Sequence, residues 1–272
     1  MLTVLIILLV LAALYLLTLQ GRRNHPLWKT FRHQRFCHRG YHDKPQIPEN
    51  SLPAFRRAIE RGWGAELDVH LLKDGTLAVF HDSDLSRCTG VSGMIEDLTL
   101  PELKKLRLEG TDEQIPLVDE VLALFEDATP LIIELKSANG NHFALSKAVC
   151  ERLDSYKGTF CIESFDPFCV LDVKKLRPEI CRGQLSMNFC KDPSGLPFYK
   201  CVIAGNMLLN FLTRPDFIAY KFEDRKGLSS ALCRTLWGIQ EVSWTIRQKE
   251  DLLEAEQAGS IGIFECFDPD EP

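Results

Sequence analysis

The sequence of 272 residues is long enough for one large domain and a short appendage, and 45% of its residues are hydrophobic. The net charge of −6 is uneven, because five basic and no acidic residues precede residue 36, which leaves −11 on the rest of the chain. A domain that acidic lacks the basic patch typical of nucleic-acid-binding proteins, so we exclude that class of partner. The ten cysteines show no CxxC pair and no zinc-finger spacing. We interpret those in apolar surroundings as reduced thiols of the core: Cys150, Cys161, Cys169, Cys181 and Cys190.

The first segment of the chain, residues 2–19, is uncharged and almost wholly apolar, which is just enough to cross a bilayer as a helix. A cleaved signal peptide is the alternative, but no basic residue precedes the run and no small-residue cleavage site follows it. We therefore predict a transmembrane anchor at 1–20, followed at 21–35 by a basic juxtamembrane linker that attracts anionic lipids. This predicts a single-pass membrane protein whose globular domain lies in the cytoplasm.

From residue 36 onward, short apolar runs alternate with longer amphipathic stretches. The candidate strands are Phe36–Arg39, Ala65–Leu71, Leu77–Phe80, Leu131–Leu135, Thr159–Phe165, Cys181–Leu185, Phe217–Lys221, Val242–Ile246 and Ile261–Phe264. The candidate helices are Leu52–Arg61, Leu117–Phe125, Ala144–Leu153, Pro167–Leu176 and Gln248–Ala258. This alternation predicts a parallel sheet with helical crossovers.

We predict an α/β fold, a (β/α)8 TIM barrel over residues 36–272. Nine candidate strands are one too many for such a barrel. The turn at 73–75 is too short for a parallel crossover, so Ala65–Leu71 and Leu77–Phe80 are expected to form a hairpin with one strand outside the barrel. Residues of about 83–116 form an insertion, and the irregular stretch 187–216 contains Met207–Leu212 as a helix or lid.

Polar clusters stand at the ends of several predicted strands, where barrel enzymes hold their active sites. His38 and Arg39 follow the first strand, and His81 closes another. Within the strands, residues two apart share a face. Two carboxylates therefore lie side by side in the Glu66-Leu67-Asp68 stretch, and a carboxylate lies beside an ammonium in the Glu134-Leu135-Lys136 stretch.

Together these residues suit the cleavage of a phosphodiester. Three carboxylates select a hard divalent cation, Mg²⁺ or Ca²⁺, over zinc. Arginine and lysine suit phosphate oxygens, and two histidines suit general acid and base catalysis. Taken singly, each cluster is more often a solvated face or an ordinary ion pair. The prediction depends on their occurrence together and in order.

The chain resembles the glycerophosphodiester phosphodiesterase family. The matching motifs cover residues 36 to about 268: HRG at 38–40, PENS at 48–51, ELDV at 66–69, KDG at 73–75, HDSDLSRCTG at 81–90, IELK at 133–136, SFD at 164–166 and WT at 244–245. The resemblance implies metal-dependent hydrolysis of glycerophosphodiesters to glycerol 3-phosphate and an alcohol. It also implies a set of roles by position: His38 and His81 as the acid–base pair, Glu66, Asp68 and Glu134 as metal ligands, and Arg39 and Lys136 as phosphate contacts. We add Trp244 as a substrate contact that stacks on the substrate, with simple packing at a strand end as the alternative.

Two stretches depart from the family pattern. The family commonly has WT-V-N and then G-x-x-G-I-x-T-D-x-P near its C-terminal end, where this chain has WTIR at 244–247 and GSIGIFECFDP at 259–269. Arg247 and Glu265 thus replace uncharged residues. We expect these replacements to affect the substrate preference more than the chemistry. Glu163 is also unusual, and it is either an added ligand or a member of an ion pair.

Two alternatives to this function remain open. The first is a membrane-facing lysophospholipase D that releases lysophosphatidic acid, with residues 203–212 binding an acyl chain or forming a core helix. The second is an inactive barrel that binds a lipid headgroup. Loss of a histidine or of a ligand carboxylate would indicate the second alternative, and this chain retains them all.

Overall fold

The computed structural model describes residues 1–126, 128–193 and 195–271. Within these ranges the strands are β1 (Phe36–Cys37), β2 (Gly64–Leu71), β3 (Leu77–Val79), β4 (Leu131–Leu135), β5 (Phe160–Ser164), β6 (Arg182–Ser186), β7 (Phe217–Lys221), β8 (Gln240–Ile246) and β9 (Ile261–Phe264). The helices are α1 (Leu2–Thr18), α2 (Trp28–Phe31), α3 (Leu52–Glu60), α4 (Ser86–Thr89), α5 (Leu100–Leu103), α6 (Val118–Phe125), α7 (His142–Leu153), α8 (Pro167–Leu176), α9 (Phe198–Gly205), α10 (Asn210–Thr213), α11 (Leu228–Thr235) and α12 (Lys249–Gln257).

Eight parallel strands close into a barrel. Neighbours follow the order β1-β9-β8-β7-β6-β5-β4-β2, and β1 also pairs with β2, which completes the circle. The ninth strand, β3, pairs antiparallel with β2 and lies outside the barrel. The predicted barrel and the predicted hairpin are therefore both confirmed. The reason is the short turn after β2, which cannot hold the crossover that a parallel neighbour needs.

Each barrel strand is buried on both faces. Along β4, Leu131 and Ile133 pack outward against the helices, while Ile132 packs in the barrel interior with Phe217 of β7. Burial on both faces explains why the strand reads as a continuous apolar run rather than as an alternating one. The single charged residue of β4, Glu134, has the inward parity of Ile132.

The insertion after β3 folds around a small apolar cluster of its own. Leu85, Ile95, Leu103 and Ile115 are fully buried there and pack beneath Phe80, the residue that follows β3. The irregular stretch before β7 contains α9 and α10 with a turn between them. The helix predicted at 207–212 is thus only partly present.

The N-terminal helix differs from its prediction. Among the residues that the structure describes, no helix is both long enough and apolar enough to cross a membrane. Helix α1 has 17 residues, and the end of the predicted span belongs to the barrel instead. Leu19 is fully buried against Met207 and Ile218, and the Tyr15 hydroxyl lies 2.7 Å from Ser229 Oγ. The predicted single-pass anchor therefore gains no support from the structure.

The segment predicted as a basic linker, 21–35, packs against the barrel. Trp28 and Phe31 of α2 are buried below the barrel interior, where the Trp28 ring lies edge-on to Phe217 at 5.5 Å. Two of its arginines have acidic partners: Arg22 Nη2 lies 2.6 Å from Asp216 Oδ2, and Arg35 Nε lies 2.7 Å from Glu256 Oε1. Aromatic burial and these ion pairs hold the segment on the protein, which charge composition alone does not reveal.

All ten cysteines are free thiols, as predicted. Eight are buried, and burial raises the pKa of such thiols, for example that of Cys169 to about 12. Cys190 departs from the prediction because it is exposed, in the irregular stretch after β6.

Candidate active site

Side-chain alternation along two neighbouring strands places three carboxylates inside the barrel. On β2, Leu67 packs outward against the helices, so Glu66 and Asp68 face the interior. On β4, Ile133 packs outward and Glu134 faces inward. Asp68 of β2 pairs with Glu134 of β4, so the three carboxylates lie at a similar height along the barrel axis.

A cavity of about 200 Å³ opens at the C-terminal ends of the strands. Its described lining is His38, Arg39, Glu66, His81, Glu134, Lys136, Glu163, Phe165, Leu185, Lys221, Trp244, Thr245, Arg247 and Ile263. Every predicted site residue is in this lining except Asp68. The Asp68 carboxylate lies just behind it, with Oδ1 3.0 Å from Lys136 Nζ. The structure therefore brings the predicted residues together.

A larger hollow of about 720 Å³ lies at the opposite, N-terminal end of the barrel, around Arg32 and Arg35. The one carboxylate among its described lining residues belongs to Glu256, which forms an ion pair with Arg35 at 2.7 Å. Size alone would favour this hollow as a binding site, but the clustered acids, bases and cationic groups lie at the other end.

The three carboxylates are spaced to hold one cation. Glu66, Asp68 and Glu134 each offer an oxygen within 4.8 Å of the oxygens of the other two. Calcium–oxygen bonds of about 2.4 Å can join atoms that far apart. Glu66 Oε1 is buried and has no hydrogen-bond partner, whereas Oε2 accepts the backbone N–H of Arg39 at 3.0 Å. An unpartnered buried oxygen among carboxylates fits Mg²⁺ or Ca²⁺ and does not favour zinc.

The same carboxylates have opposite pKa shifts. Burial and the neighbouring Asp68 raise the pKa of Glu66 well above its ordinary value. Burial acts in the same sense on Asp68, but Lys136 and a hydrogen bond of 2.8 Å from Asn50 Nδ2 outweigh it and hold the Asp68 pKa well below its ordinary value. Lys136 also donates to Glu134 Oε1 at 2.7 Å. A bound cation would offset the repulsion that raises the Glu66 pKa.

Arg39 is fixed above these carboxylates by Glu49. Arg39 Nη1 donates to Glu49 Oε1 at 2.9 Å, and Arg39 Nε lies 3.6 Å from Asp68 Oδ2. Arg87 from the insertion donates to the same Glu49 oxygen at 2.7 Å. These cations lower the pKa of buried Glu49 against the effect of its burial. Glu49 thus orients Arg39 rather than the ligand carboxylates themselves.

His81 is oriented by its neighbours in the chain and in the fold. Its Nδ1 lies 2.5 Å from Asp82 Oδ1. Buried His70, which the sequence places beyond the site, supports the same segment, with Nε2 3.2 Å from the His81 carbonyl oxygen. The other ring nitrogen of His70 lies 2.7 Å from Glu96 Oε1 of the insertion. The insertion thereby helps to position His81.

His38 is more enclosed than His81, since its side chain is 13% exposed and that of His81 is 29% exposed. Burial lowers the pKa of His38 to about 4, although a contact with Glu265 acts in the opposite sense. Nδ1 of His38 lies 2.5 Å from Glu265 Oε2. With Nδ1 engaged in this way, Nε2 is the ring nitrogen available to a ligand in the cavity.

The opposite wall of the cavity is apolar. Trp244 lies edge-on to Phe165 with ring centroids 5.4 Å apart, and Leu185 and Ile263 lie nearby in the lining. The indole N–H of Trp244 donates to the Ala219 carbonyl at 3.0 Å. This bond fixes the ring and leaves its face and edge for contact with a ligand.

Glu163 has the inward position on β5 that pairs with Glu134. It is 1% exposed, and its Oε2 has no hydrogen-bond partner. Among the described residues it forms no ion pair, so the ion-pair interpretation of Glu163 is wrong. Burial, and next the charge of Glu134, raise its pKa well above the ordinary value.

Sequence reasoning missed three functional features of this site. Asn50 contacts Asp68, whereas the cap of α3 is Ser51, whose Oγ accepts the Ala54 N–H at 3.3 Å. Lys221, at the end of β7, contributes a second ammonium group to the cavity lining. Glu265 contacts His38, and the only signal for it in the sequence is its departure from the family pattern.

Comparison with known proteins agrees with this geometry. A sequence model described as the glycerophosphoryl diester phosphodiesterase family matches residues 38–265. A glycerophosphodiester phosphodiesterase from Caldanaerobacter subterraneus subsp. tengcongensis is 33% identical over 245 residues, which are 84% of this chain and 91% of that protein. The rat protein named lysophospholipase D GDPD1 is 36% identical over 122 residues, only 40% of this chain and 38% of its own length.

Solved structures show the same fold. A phosphodiesterase from Oleispira antarctica, in complex with the product sn-glycerol-3-phosphate, superposes with a TM-score of 0.72 at 25% identity and covers 90% of this chain and 95% of its own. A glycerophosphodiester phosphodiesterase from Thermotoga maritima has a TM-score of 0.65 at 27% identity and covers 86% of this chain and 94% of its own.

Proposed function

Because this chain belongs to the glycerophosphoryl diester phosphodiesterase family, whose members are phosphoric diester hydrolases, we propose that it hydrolyses glycerophosphodiesters to glycerol 3-phosphate and an alcohol. The observation that carries the proposal is the convergence of two histidines, three carboxylates, an arginine and a lysine on one cavity at the C-terminal end of the barrel. These groups come from four separate stretches of the chain, and a site for an anionic ligand accounts for their meeting there.

Glu66, Asp68 and Glu134 are the residues that would hold one divalent cation, which would supply positive charge to the phosphate oxygens and polarise the phosphorus centre. Arg39 and Lys136 stand beside these carboxylates and would bind the remaining non-bridging oxygens. Trp244 and the apolar wall would limit where the alcohol portion lies. The bound cation and the two basic side chains would thus together neutralise the negative charge of the substrate phosphate.

The two histidines would move the protons. One accepts the proton of the attacking hydroxyl as its oxygen bonds to phosphorus, and the other donates a proton to the alcohol oxygen as the P–O bond breaks. The attacking hydroxyl belongs either to the substrate's own glycerol, which gives a cyclic phosphate that water then opens, or to water directly. Asp82 and Glu265 hold the Nδ1 atoms of His81 and His38, so both Nε2 atoms are free for these transfers.

The test is hydrolysis of glycerophosphocholine by the purified 272-residue chain with Ca²⁺, with Mg²⁺ and with chelator. Residues 21–35 stay in the preparation because Trp28 and Phe31 are buried in the barrel. We expect cation-dependent release of glycerol 3-phosphate, and a loss of about 10²–10⁴ in kcat for His38→Ala and for His81→Ala. His33→Ala, an exposed histidine at the other end of the barrel, is the matched control. Turnover that chelator leaves unchanged would refute the metal-dependent mechanism.

A lysophospholipid is the second candidate substrate, with lysophosphatidic acid as the product. The observation in its favour is a set of exposed apolar side chains on the first turns of helices that follow barrel strands, which lie at the mouth of the site: Phe143, Phe168, Phe198, Tyr199 and Leu228. In contrast, Met207 of the stretch predicted to bind an acyl chain is buried in the core. Lysophosphatidylcholine in the same assay distinguishes the two substrates by the product formed.

A further inference from the structure

The two charged residues that depart from the family pattern near the C-terminal end contact each other. Arg247 follows β8 directly, and Glu265 follows the neighbouring strand β9 directly. Arg247 Nη2 lies 2.6 Å from Glu265 Oε1, and Glu265 Oε2 lies 2.5 Å from His38 Nδ1. The sequence departs from the pattern at both positions, and the fold joins them into one series of contacts that ends on His38.

The carboxylate is held by its backbone as well as by its charge partners. The Glu265 N–H donates to the Ile246 carbonyl at 3.0 Å, which ties the end of β9 to the end of β8. The Glu265 side chain is 11% exposed, while that of Arg247 is 55% exposed on the outer side. His42 Nε2 also faces the carboxylate, at 3.7 Å from Oε2. Glu265 thus has a cation on one side and an imidazole on the other.

We propose that Glu265, itself oriented by Arg247, is a positioning residue that fixes His38 as the Nδ1–H tautomer with Nε2 directed to the substrate. The proposal rests on the proposed function, in which His38 belongs to the acid–base pair. It adds the tautomer of His38 and the role of Glu265, which the motifs leave open.

The assignment follows from what each atom can donate. An ionised carboxylate only accepts hydrogen bonds, so the proton between Glu265 and His38 belongs to Nδ1. The hydrogen bond from His38, the nearby imidazole of His42 and the charge of Arg247 hold the pKa of Glu265 well below its ordinary value, although burial alone would raise it. An imidazole of this tautomer accepts a proton at Nε2, and the carboxylate behind it stabilises the imidazolium that results.

The positive charges near His38 make this support necessary. Arg39 faces the same imidazole and disfavours its protonated form, while Asp68 and Glu265 favour that form. A base that gains a proton in the transition state next to an arginine needs a compensating negative charge on the other side. Glu265 is the carboxylate in direct contact with His38.

The test is steady-state kinetics of Glu265→Gln and Glu265→Asp with glycerophosphocholine and saturating cation. Glutamine removes the charge and can donate as well as accept a hydrogen bond, so we expect kcat to fall by about 100-fold while KM changes by less than about threefold. Aspartate keeps the charge and should recover most of that loss. Glu256→Gln is the matched control, since Glu256 also pairs with an arginine but lies at the N-terminal end of the barrel.

Two further measurements separate positioning from a merely structural role. Nitrogen-15 NMR of labelled histidine should show Nδ1 of His38 protonated and Nε2 unprotonated in the wild type, and a loss of this preference in Glu265→Gln. In a double-mutant cycle, Arg247→Gln should cost much less in the Glu265→Gln background than alone. Additive effects, with a raised KM for Arg247→Gln, would instead mean that Arg247 binds substrate and does not act through Glu265.

The outcomes distinguish this inference from the proposed function. An inactive wild-type enzyme, or an active His38→Ala variant, contradicts the proposed function itself. An inactive His38→Ala variant together with a Glu265→Gln variant of wild-type kcat overturns the positioning role alone. Thermal unfolding of each variant shows whether a loss of activity reflects a loss of fold.

Discussion

Glu134 and Glu163 occupy paired positions on the neighbouring strands β4 and β5, yet among the residues that the structure describes only Glu134 of the two contacts a cationic partner. Lys136 Nζ donates to Glu134 Oε1 at 2.7 Å, whereas Glu163 Oε2 is buried without any hydrogen-bond partner. Two adjacent buried carboxylates, of which one contacts an ammonium group, cannot both ionise freely. The fold therefore retains Glu163 at a cost in stability, which is measurable.

We predict that Glu163→Gln raises the free energy of unfolding at pH 7, in chelator, by about 1–3 kcal/mol. The folded-state pKa of Glu163 lies above its unfolded-state pKa. The destabilisation caused by Glu163 is therefore absent below the unfolded-state pKa and grows as the pH rises towards the folded-state pKa. Urea unfolding at pH 7 and at about pH 4 tests this, since the gain should vanish at the lower pH. Glu256→Gln, which breaks an ion pair with Arg35, should show no gain. A loss of stability in Glu163→Gln at pH 7 would contradict the prediction.

A divalent cation should stabilise the folded chain. Binding at Glu66, Asp68 and Glu134 exists only in the folded state, so a cation at 100 times its Kd adds about 2.7 kcal/mol to the free energy of unfolding. For a chain of this size that corresponds to a rise of about 5–10 °C in Tm. Thermal unfolding in Ca²⁺ or Mg²⁺ and in chelator measures the rise, with KCl of equal ionic strength as the control. The shift should largely disappear in Glu66→Gln, and an unchanged Tm in the wild type would contradict the assigned site.

Glu49 should contribute to stability at neutral pH. It is 4% exposed and pairs with largely buried Arg39 and with the more exposed Arg87 and Lys44, so Glu49→Gln weakens all three ion pairs and should cost about 2 kcal/mol. The folded-state pKa of Glu49 lies below its unfolded value, so this stability is present above the unfolded value and is lost as the pH falls towards the folded one.

Urea unfolding of Glu49→Gln and wild type between pH 7 and pH 3 checks this dependence. The difference between them should be constant at pH 6–7 and should shrink below about pH 4.5. Glu151→Gln is the control, because Glu151 forms an exposed pair with Lys147 on α7, and its removal should cost less than about 0.5 kcal/mol. A stability difference between the two proteins that grows towards acid pH would contradict the predicted direction of the Glu49 pKa shift.

In the pH profile of kcat/KM, the decline on the acid side should occur at an unusually low pH. We predict that His38 is the general base, which acts only in its neutral form and whose pKa burial lowers to about 4. Activity should therefore hold as the pH falls from 7 to about 5 and should decline through about pH 4, rather than near the ordinary histidine value of about 6.5. Circular dichroism at each pH excludes unfolding as the cause. An acid limb near pH 6.5 would mean that a different group is the base.

The sequence by itself was enough to predict the barrel and most residues of the candidate site. Continuous apolar runs identify strands buried on both faces, and the turn at 73–75 is too short for a crossover, so one strand of the hairpin was expected outside the barrel. The structure shows that this strand is β3. The alternation of side chains in a strand puts Glu66 beside Asp68 and Glu134 beside Lys136 without any knowledge of the fold. Local geometry carries this information, and it can be read from neighbouring residues alone.

Only the tertiary structure decided which distant groups contact these residues. The contact of Glu265 with His38 joins residues more than two hundred positions apart, and it depends on the closure of the barrel between β9 and β1. Trp28 is likewise buried beneath the barrel, in the segment that we predicted to be a juxtamembrane linker. The apolar surface that covers this aromatic side chain exists only at the end of the closed barrel, so hydropathy along the sequence does not reveal its burial. Contacts between residues on distant strands depend on the order of the strands and on closure of the barrel, so no local sequence pattern predicts them.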